Sequence, residues 1–205
     1  MNNVLFHPSE LRELMTSDRS GKGLGETAKS KLLEIGIREK YGRRKQILTK
    51  PIEKGILCES DSFELVSKVT GKSLFKNTET IKNDYLIGTP DVIKPFLADI
   101  KTPYDILTFF GVAEDDAMKE YYWQLLGYME LTNKKEAILY YALVNTPVDR
   151  IHEVELTTNE NWYVFDDIPE KSRVKKFVFK HDKDKVDYMY TRLDLCREYI
   201  RELKI

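Results

Sequence analysis

The chemistry of this sequence gathers around two acids and an amine, Asp91, Asp99 and Lys101. In Phe96-Leu97-Ala98-Asp99-Ile100-Lys101, strand alternation places Leu97, Asp99 and Lys101 on one face and Phe96, Ala98 and Ile100 on the other. An acid and an amine then point the same way, backed by an apolar face suited to packing on a helix, which predicts a central strand with its charged pair in use. The plain alternative is an ion pair at a strand end. Upstream, Gly88-Thr89-Pro90-Asp91 reads as a turn in which proline fixes the backbone just ahead of an acid. An isolated Pro-Asp is more often only a turn. With Asp99 following across a tight bend, however, the two carboxylates are expected to meet. Two hard oxygen ligands plus water are what Mg²⁺ takes from a protein that also binds a phosphate.

Two more side chains join by helical spacing. Ile52, Ile56, Glu59, Phe63 and Val66 recur at intervals of three and four, so Glu59 is expected on an apolar stripe, where a carboxylate needs a partner or a metal. Glu64 falls off that stripe and reads as a solvated acid. Gln124 aligns with Ala117, Tyr121, Tyr128 and Leu131, and its amide would donate and accept near the site; the alternative is a core glutamine bonded to backbone. Together these groups suit phosphodiester hydrolysis. Asp91 and Asp99, helped by Glu59, would hold Mg²⁺, with Mn²⁺ expected to substitute, and Lys101 would orient water or stabilise charge on the phosphoryl oxygens. No other constellation competes: His7, His152 and His181 are scattered, and neither a Gly-rich phosphate loop ending in Lys-Ser/Thr nor a GxSxG is present.

The elements that must position these residues follow from periodicity and punctuation. A short helix capped by Ser9 is expected over 9–15, a Gly-rich loop over 16–25, and a helix over 26–41 ending at Gly42. A third helix is expected over 52–69, stopped by Gly71. Between 82 and 101 the period changes to two, with Gly88, Pro90 and Pro95 dividing the run into short strands. A buried helix is expected over 115–131, strands over 137–144, 151–156 and 174–179, and a closing amphipathic helix over 184–203. This order predicts an α/β (α+β) fold, a mixed sheet flanked by helices, in one domain spanning 1–205.

The chain has 205 residues, of which 41% are hydrophobic and 11% aromatic, ample for a core. No run of about eighteen uncharged apolar residues suggests a membrane span, and the amino terminus lacks a secretory signal, so a cytoplasmic protein is expected. Cys58 and Cys196 are too few for a zinc site, a disulfide framework or an iron-sulfur cluster, and free buried thiols are expected. A net charge of -1 argues against wrapping of duplex DNA over the whole surface, so local charge must carry any such role. Two stretches qualify, 38–54 with Arg43 and Arg44, and 171–185 with Arg173, Lys175 and Lys176. Each is open to the alternative of a solvated face.

These motifs resemble the PD-(D/E)xK nucleases, and within them the lambda exonuclease and YqaJ-like group of phage recombination proteins. Lys54-Gly55-Ile56-Leu57-Cys58-Glu59 is similar to the family's helix glutamate motif, Gly88-Thr89-Pro90-Asp91 to its Ser-Pro-Asp motif, and Leu97-Ala98-Asp99-Ile100-Lys101-Thr102-Pro103 to its Glu-x-Lys-Cys-Pro strand. Tyr121-Tyr122-Trp123-Gln124-Leu125-Leu126-Gly127-Tyr128-Met129 is similar to the helix carrying its Gln-x-Gln pair. Four motifs in order cover most of the chain. The resemblance implies a restriction-endonuclease-like core, metal binding by Asp91, Asp99 and the Ile100 carbonyl, a catalytic Lys101, and assistance from Glu59 and Gln124. Two departures stand out: Asp99 replaces the commoner Glu, and Leu126 the second glutamine. Ser9-Glu10, ahead of Arg19-Ser20-Gly21-Lys22, is similar to a segment that meets the DNA end, although the arginine that relatives carry upstream of the serine to bind a 5′ phosphate is missing. The implied activity is Mg²⁺-dependent exonucleolytic resection of linear duplex DNA, 5′ to 3′, by a ring-shaped homotrimer working with a single-strand annealing protein. A structure- or site-specific endonuclease and an inactive nucleic-acid-binding module are the alternatives.

Overall fold

In the computed structural model, residues 4–147 and 162–205 are described, so the strand expected over 151–156 lies outside the described residues, as does His152. Chain order begins with a 3-10 turn, Pro8–Glu10, that runs into α1 (Leu11–Leu14). Ser9 sits inside that turn and does not cap it. The turn is closed instead by Glu10, whose Oε2 accepts from the His7 N–H at 2.9 Å. Helix α2 (Glu26–Tyr41) has the expected bounds and ends at Gly42, whose φ of 65° is the left-handed conformation that glycine supplies without strain.

The single helix expected over 52–69 is two helices, α3 (Lys50–Leu57) and α4 (Glu59–Thr70), broken at Cys58. The apolar stripe therefore does not continue. Phe63 and Val66 of α4 are buried, whereas Ile52 and Ile56 are exposed and α3 buries Lys54 instead. Lys54 Nζ donates to the Tyr104 carbonyl at 2.9 Å and lies over the Phe165 ring, and burial lowers its pKa to about 8. A buried lysine tied to the Tyr104 carbonyl outweighed the isoleucine periodicity.

Strands β1 (Ile81–Lys82) and β2 (Ile87–Gly88) form an antiparallel pair. A three-stranded mixed sheet follows, β3 (Leu97–Lys101), β4 (Glu136–Ala142) and β5 (Val174–Lys180), with β4 between a parallel β3 and an antiparallel β5. Among the described residues β3 is thus an edge strand, not the central one expected. Its free edge is occupied locally: Val92 and Ala98 exchange two backbone hydrogen bonds of 3.0 Å, and the Ile100 N–H donates to Asp91. Between β3 and β4 run α5 (Ile106–Gly111), which periodicity did not reveal and which Asp105 caps by accepting from the Thr108 N–H at 2.7 Å, and α6 (Glu114–Thr132). Helix α7 (Lys183–Glu202) closes the chain, capped by Asp182.

Strand alternation sends the two faces of β3 into different cores. Leu97, with Leu139 and Tyr141 of β4, packs on Leu125 and Met129 of α6, Phe109 of α5 and Val186 of α7. Ala98, with Ile138 and Tyr140, packs on Phe63 and Val66 of α4. A third cluster joins α1, α2 and α7 through Leu11, Leu32, Ile35, Leu193 and Ile200. Each such leucine or isoleucine contributes roughly 1.5–3 kcal/mol on burial.

The N-terminal segment reaches the sheet because two glycines leave it room. A Cβ on Gly88 would stand 2.9 Å from Pro8 and from Tyr128, and one on Gly127 would stand 2.8 Å from Leu11. This approach seats Pro8, the neighbour of Ser9, against both the end of β2 and the buried half of α6. Both cysteines are free and buried, and among the described residues no helix is long and apolar enough to cross a membrane.

Candidate active site

Strand β3 and helix α6 together fix Asp99. Its side chain is 3% exposed, Oδ1 accepts from Gln124 Nε2 at 2.9 Å, and Oδ2 lies 2.8 Å from Lys101 Nζ. That last contact is a charge contact without the alignment of a hydrogen bond, which leaves Oδ2 a buried oxygen with acceptor capacity to spare. The Gln124 amide is therefore spent on the acid, not on backbone.

Asp91 arrives from the turn after β2. The backbone of that turn is clasped by Asn77, whose N–H donates to the Asp91 carbonyl at 2.7 Å and whose Nδ2 donates to the Pro90 carbonyl at 3.0 Å. Asp91 Oδ2 accepts from the Ile100 N–H at 2.9 Å. Burial, and then the charge of Asp99, push its pKa up to about 7, against the downward pull of the Ile100 N–H and of Lys101. For Lys101 burial disfavours the charge, but Asp99 and Asp91 outweigh it and hold the ammonium above its ordinary range. The electrostatics describe a site with negative charge to spare once Lys101 has been counted.

Asp91, Ile100 and Lys101 open into one cavity of about 620 Å³, which Glu59, Ser62, Tyr121 and Tyr141 also line. Glu59 is on the rim and not buried: its side chain is 38% exposed and paired with Lys76, itself 53% exposed. Its expected place on an apolar stripe fails because the helix breaks at the preceding residue. Among the described residues no three His, Cys, Asp or Glu side chains gather tightly enough to make a closed metal cage. Asp91 and Asp99, joined by the Ile100 carbonyl, are the groups that could hold a cation, with Glu59 drawn aside by Lys76. Buried, hard oxygen donors with one oxygen unspent fit a Mg²⁺-like ion, which needs only one or two carboxylates when a phosphate supplies the rest.

Of the residues expected to meet nucleic acid, Ser9, Arg43 and Arg44 line a second cavity of about 640 Å³, shared with His7, Lys31 and Arg38. Arg44 Nη2 lies 3.3 Å from His7 Nε2. Arg38 pairs with Glu10 and Glu39, and its Nη2 is buried without a hydrogen-bond partner. Burial lowers the pKa of His7, opposed by Glu10 and reinforced by Arg38 and Arg44. Arg19 and Lys22 are exposed in the 16–25 loop, and Lys22 lines a different hollow, with Leu195 and Glu198 of α7. The structure does not bring them to the Ser9 cavity. In the second basic stretch Lys175 is engaged locally, donating to the Phe110 and Val112 carbonyls at the end of α5.

Sequence reasoning took Arg38 and Lys54 only as the ends of a charged stretch, without the roles that their partners give them, and missed Lys76. Nothing in the pattern distinguishes these from the other cations, because their partners lie far along the chain. Tyr121 was legible: it lies three residues before Gln124, on the same helical face, and the Lys101 ammonium stands over its ring, 5.1 Å from the centroid.

This fold is that of phage-related and alkaline exonucleases. A phage-related exonuclease of Haemophilus somnus 129PT superimposes with a TM-score of 0.85 at 23% identity, over 97% of this chain and 94% of that one. An alkaline exonuclease of Laribacter hongkongensis gives 0.69 at 13% identity, over 98% and 89%. The same Laribacter enzyme in complex with dAMP gives 0.68, over 97% and 89%. No family model and no curated protein sequence matches the chain.

Proposed function

We propose that this protein is a Mg²⁺-dependent exodeoxyribonuclease that resects linear duplex DNA, 5′ to 3′, in phage or prophage recombination. The observation that carries the proposal is the opening of Asp91 and Lys101 into one cavity, with Asp99, held by Gln124, buried directly behind Lys101. The exonuclease folds it shares, one of them solved with dAMP, support the choice of a nucleic-acid phosphodiester as substrate. Asp91, Asp99 and the Ile100 carbonyl would hold the metal, which supplies Lewis acidity toward the scissile phosphate and toward an attacking water. Lys101 places a positive charge where the phosphoryl oxygens gain charge and orients the nucleophile. Gln124 keeps Asp99 in register. Glu59, free to leave Lys76, is available at the rim to accept a proton from water.

DNA is expected to approach over the Ser9 cavity, where Arg43 and Arg44 supply charge from the segment after α2. This arrangement offers cations although none precedes Ser9 in the described chain. Assembly into a ring-shaped homotrimer and cooperation with a single-strand annealing protein follow from the family resemblance. The direct test is digestion of linear duplex DNA and of covalently closed circles of the same sequence with Mg²⁺, beside Asp99→Asn. Loss of linear DNA alone, absent in the variant, is the expected result. Cleavage of both substrates would replace the exonuclease with an endonuclease, and cleavage of neither, with Mn²⁺ also tried, would leave a binding module.

A further inference from the structure

Lys101 is held by two groups, and only one of them is an acid. Its ammonium contacts Asp99 Oδ2 at 2.8 Å and lies over the face of Tyr121, 5.1 Å from the ring centroid. One turn of α6 thus grips both ends of the Asp99–Lys101 pair: Gln124 takes the carboxylate and Tyr121 the ammonium. The ring is itself braced. It meets Tyr141 edge-on, centroids 6.2 Å apart at 76°, and Tyr141 meets Phe177 at 6.0 Å and 89°. Tyr121 is therefore backed by β4 and, through Tyr141, by β5, with the cavity on its other side.

We propose that Tyr121 is a positioning residue whose ring face keeps Lys101 aimed into the catalytic cavity when Asp99 is engaged by a cation. The proposal rests on the nuclease reading of the site. A carboxylate cannot serve at full strength both as counter-ion of a lysine and as ligand of a divalent ion, so the ion pair slackens as the site fills. Lysine has a flexible four-carbon stem, and once released by Asp99 it would be pushed outward by like charge. An aromatic face attracts an ammonium without competing for the metal, so it holds the lysine through the step in which the acid lets go.

The test compares Tyr121→Leu with Tyr121→Phe, which keeps the ring and removes only the hydroxyl. Melting temperatures of both variants identify any loss of fold. With linear duplex DNA, Tyr121→Leu is expected to lower kcat about tenfold with KM little changed, and Tyr121→Phe to stay within about twofold of the parent. A second measurement needs no turnover. After reductive ¹³C-methylation, the Lys101 resonance, assigned with Lys101→Arg, should show the upfield shift of a methyl above a ring in the parent and in Tyr121→Phe, with and without Mg²⁺, and lose it in Tyr121→Leu. Full activity in Tyr121→Leu, equal loss in both variants, or disappearance of the shift on adding Mg²⁺ would each overturn the positioning role. A parent that cleaves no DNA would defeat the nuclease reading instead, and the NMR shift would still decide whether the ring holds Lys101.

Discussion

Glu59 lines the catalytic cavity and Asp99 is buried behind it, and the surroundings of the two carboxylates are opposite. Asp99 is almost wholly buried, fixed by Gln124 and Lys101, on a strand whose register with β4 admits no slip. Glu59 starts a helix after a break, over a third exposed, with a half-exposed lysine as partner. An exposed pair of that kind contributes about 0–1 kcal/mol, so either partner can leave at little cost. The side built from β3 and α6 is arranged before any substrate arrives. The side built from α3 and α4 carries exposed Ile52, Ile56 and Leu57, and its acid is held only by an exposed lysine.

If that contrast is right, substitutions on the two sides should differ in kind. Lys101→Ala and Asp99→Asn are expected to lower turnover about 100-fold or more, because both remove charge at the reacting phosphate. Asparagine is the better probe at 99, since it can still accept from Gln124 while losing the charge, whereas alanine would also leave an internal hole and an unpaired amide. Glu59→Gln is expected to cost only about tenfold. Measured kcat values for the three variants, with melting curves beside them, order the two sides. A Glu59→Gln enzyme as dead as Asp99→Asn would erase the distinction.

The same contrast explains what could be read from the sequence. Period-two alternation in 96–101 placed Asp99 and Lys101 on one face, and the helical register of Ala117, Tyr121, Gln124 and Tyr128 placed the amide toward them. Both readings held because buried, regular elements obey their periodicity. Glu59 was misplaced because its isoleucine stripe belongs to a separate helix whose buried residue is Lys54, and a buried lysine leaves no hydrophobic signature. The edge position of β3 was hidden as well. Among the described residues its far edge is completed by Val92 and the carboxylate of Asp91, pairings that no local pattern encodes. Arg38 and Arg44 meet the Ser9 cavity through tertiary contacts with Glu10 and His7, far off in sequence.

A smaller effect probes the buried side in the absence of substrate. Asp91 rises from 3.8 to about 7 because burial and Asp99 disfavour its charge. An acid with a raised folded-state pKa binds more protons folded than unfolded between those values. Its contribution to stability is therefore present below pH about 4 and is lost as pH climbs through 7. Each pH unit of that window is worth at most about 1.4 kcal/mol. Asp91→Asn keeps an acceptor for the Ile100 N–H and removes the titration. In chelator, the variant should melt several degrees above the parent at pH 8 and no higher at pH 4. Parallel melting curves across that range would mean that Asp91 is wetter than its surroundings imply.

The smallest expected change lies outside both sides of the site, at the Ser9 cavity. Arg43 and Arg44 are exposed at a cavity also bounded by Glu10 and Glu34, so each replaced alone should alter affinity little. If both neutralise phosphates, replacing the pair by alanine should reduce the slope of log affinity against log salt by about 2, since each phosphate contact releases roughly 0.9 counterion. Cleavage at saturating DNA should stay unchanged, because neither side chain lines the catalytic cavity. Binding to a linear duplex, measured by anisotropy in chelator at several salt concentrations, separates the outcomes. An unaltered slope would assign the two arginines to an ordinary solvated face and move the search for the DNA track to the exposed Arg19–Lys22 loop. That loop is firmly seated, because buried Arg192 donates to the carbonyls of Leu14, Thr16 and Gly23 around its base. A track there would stand on a base held by a buried arginine, unlike the exposed segment that carries Arg43 and Arg44.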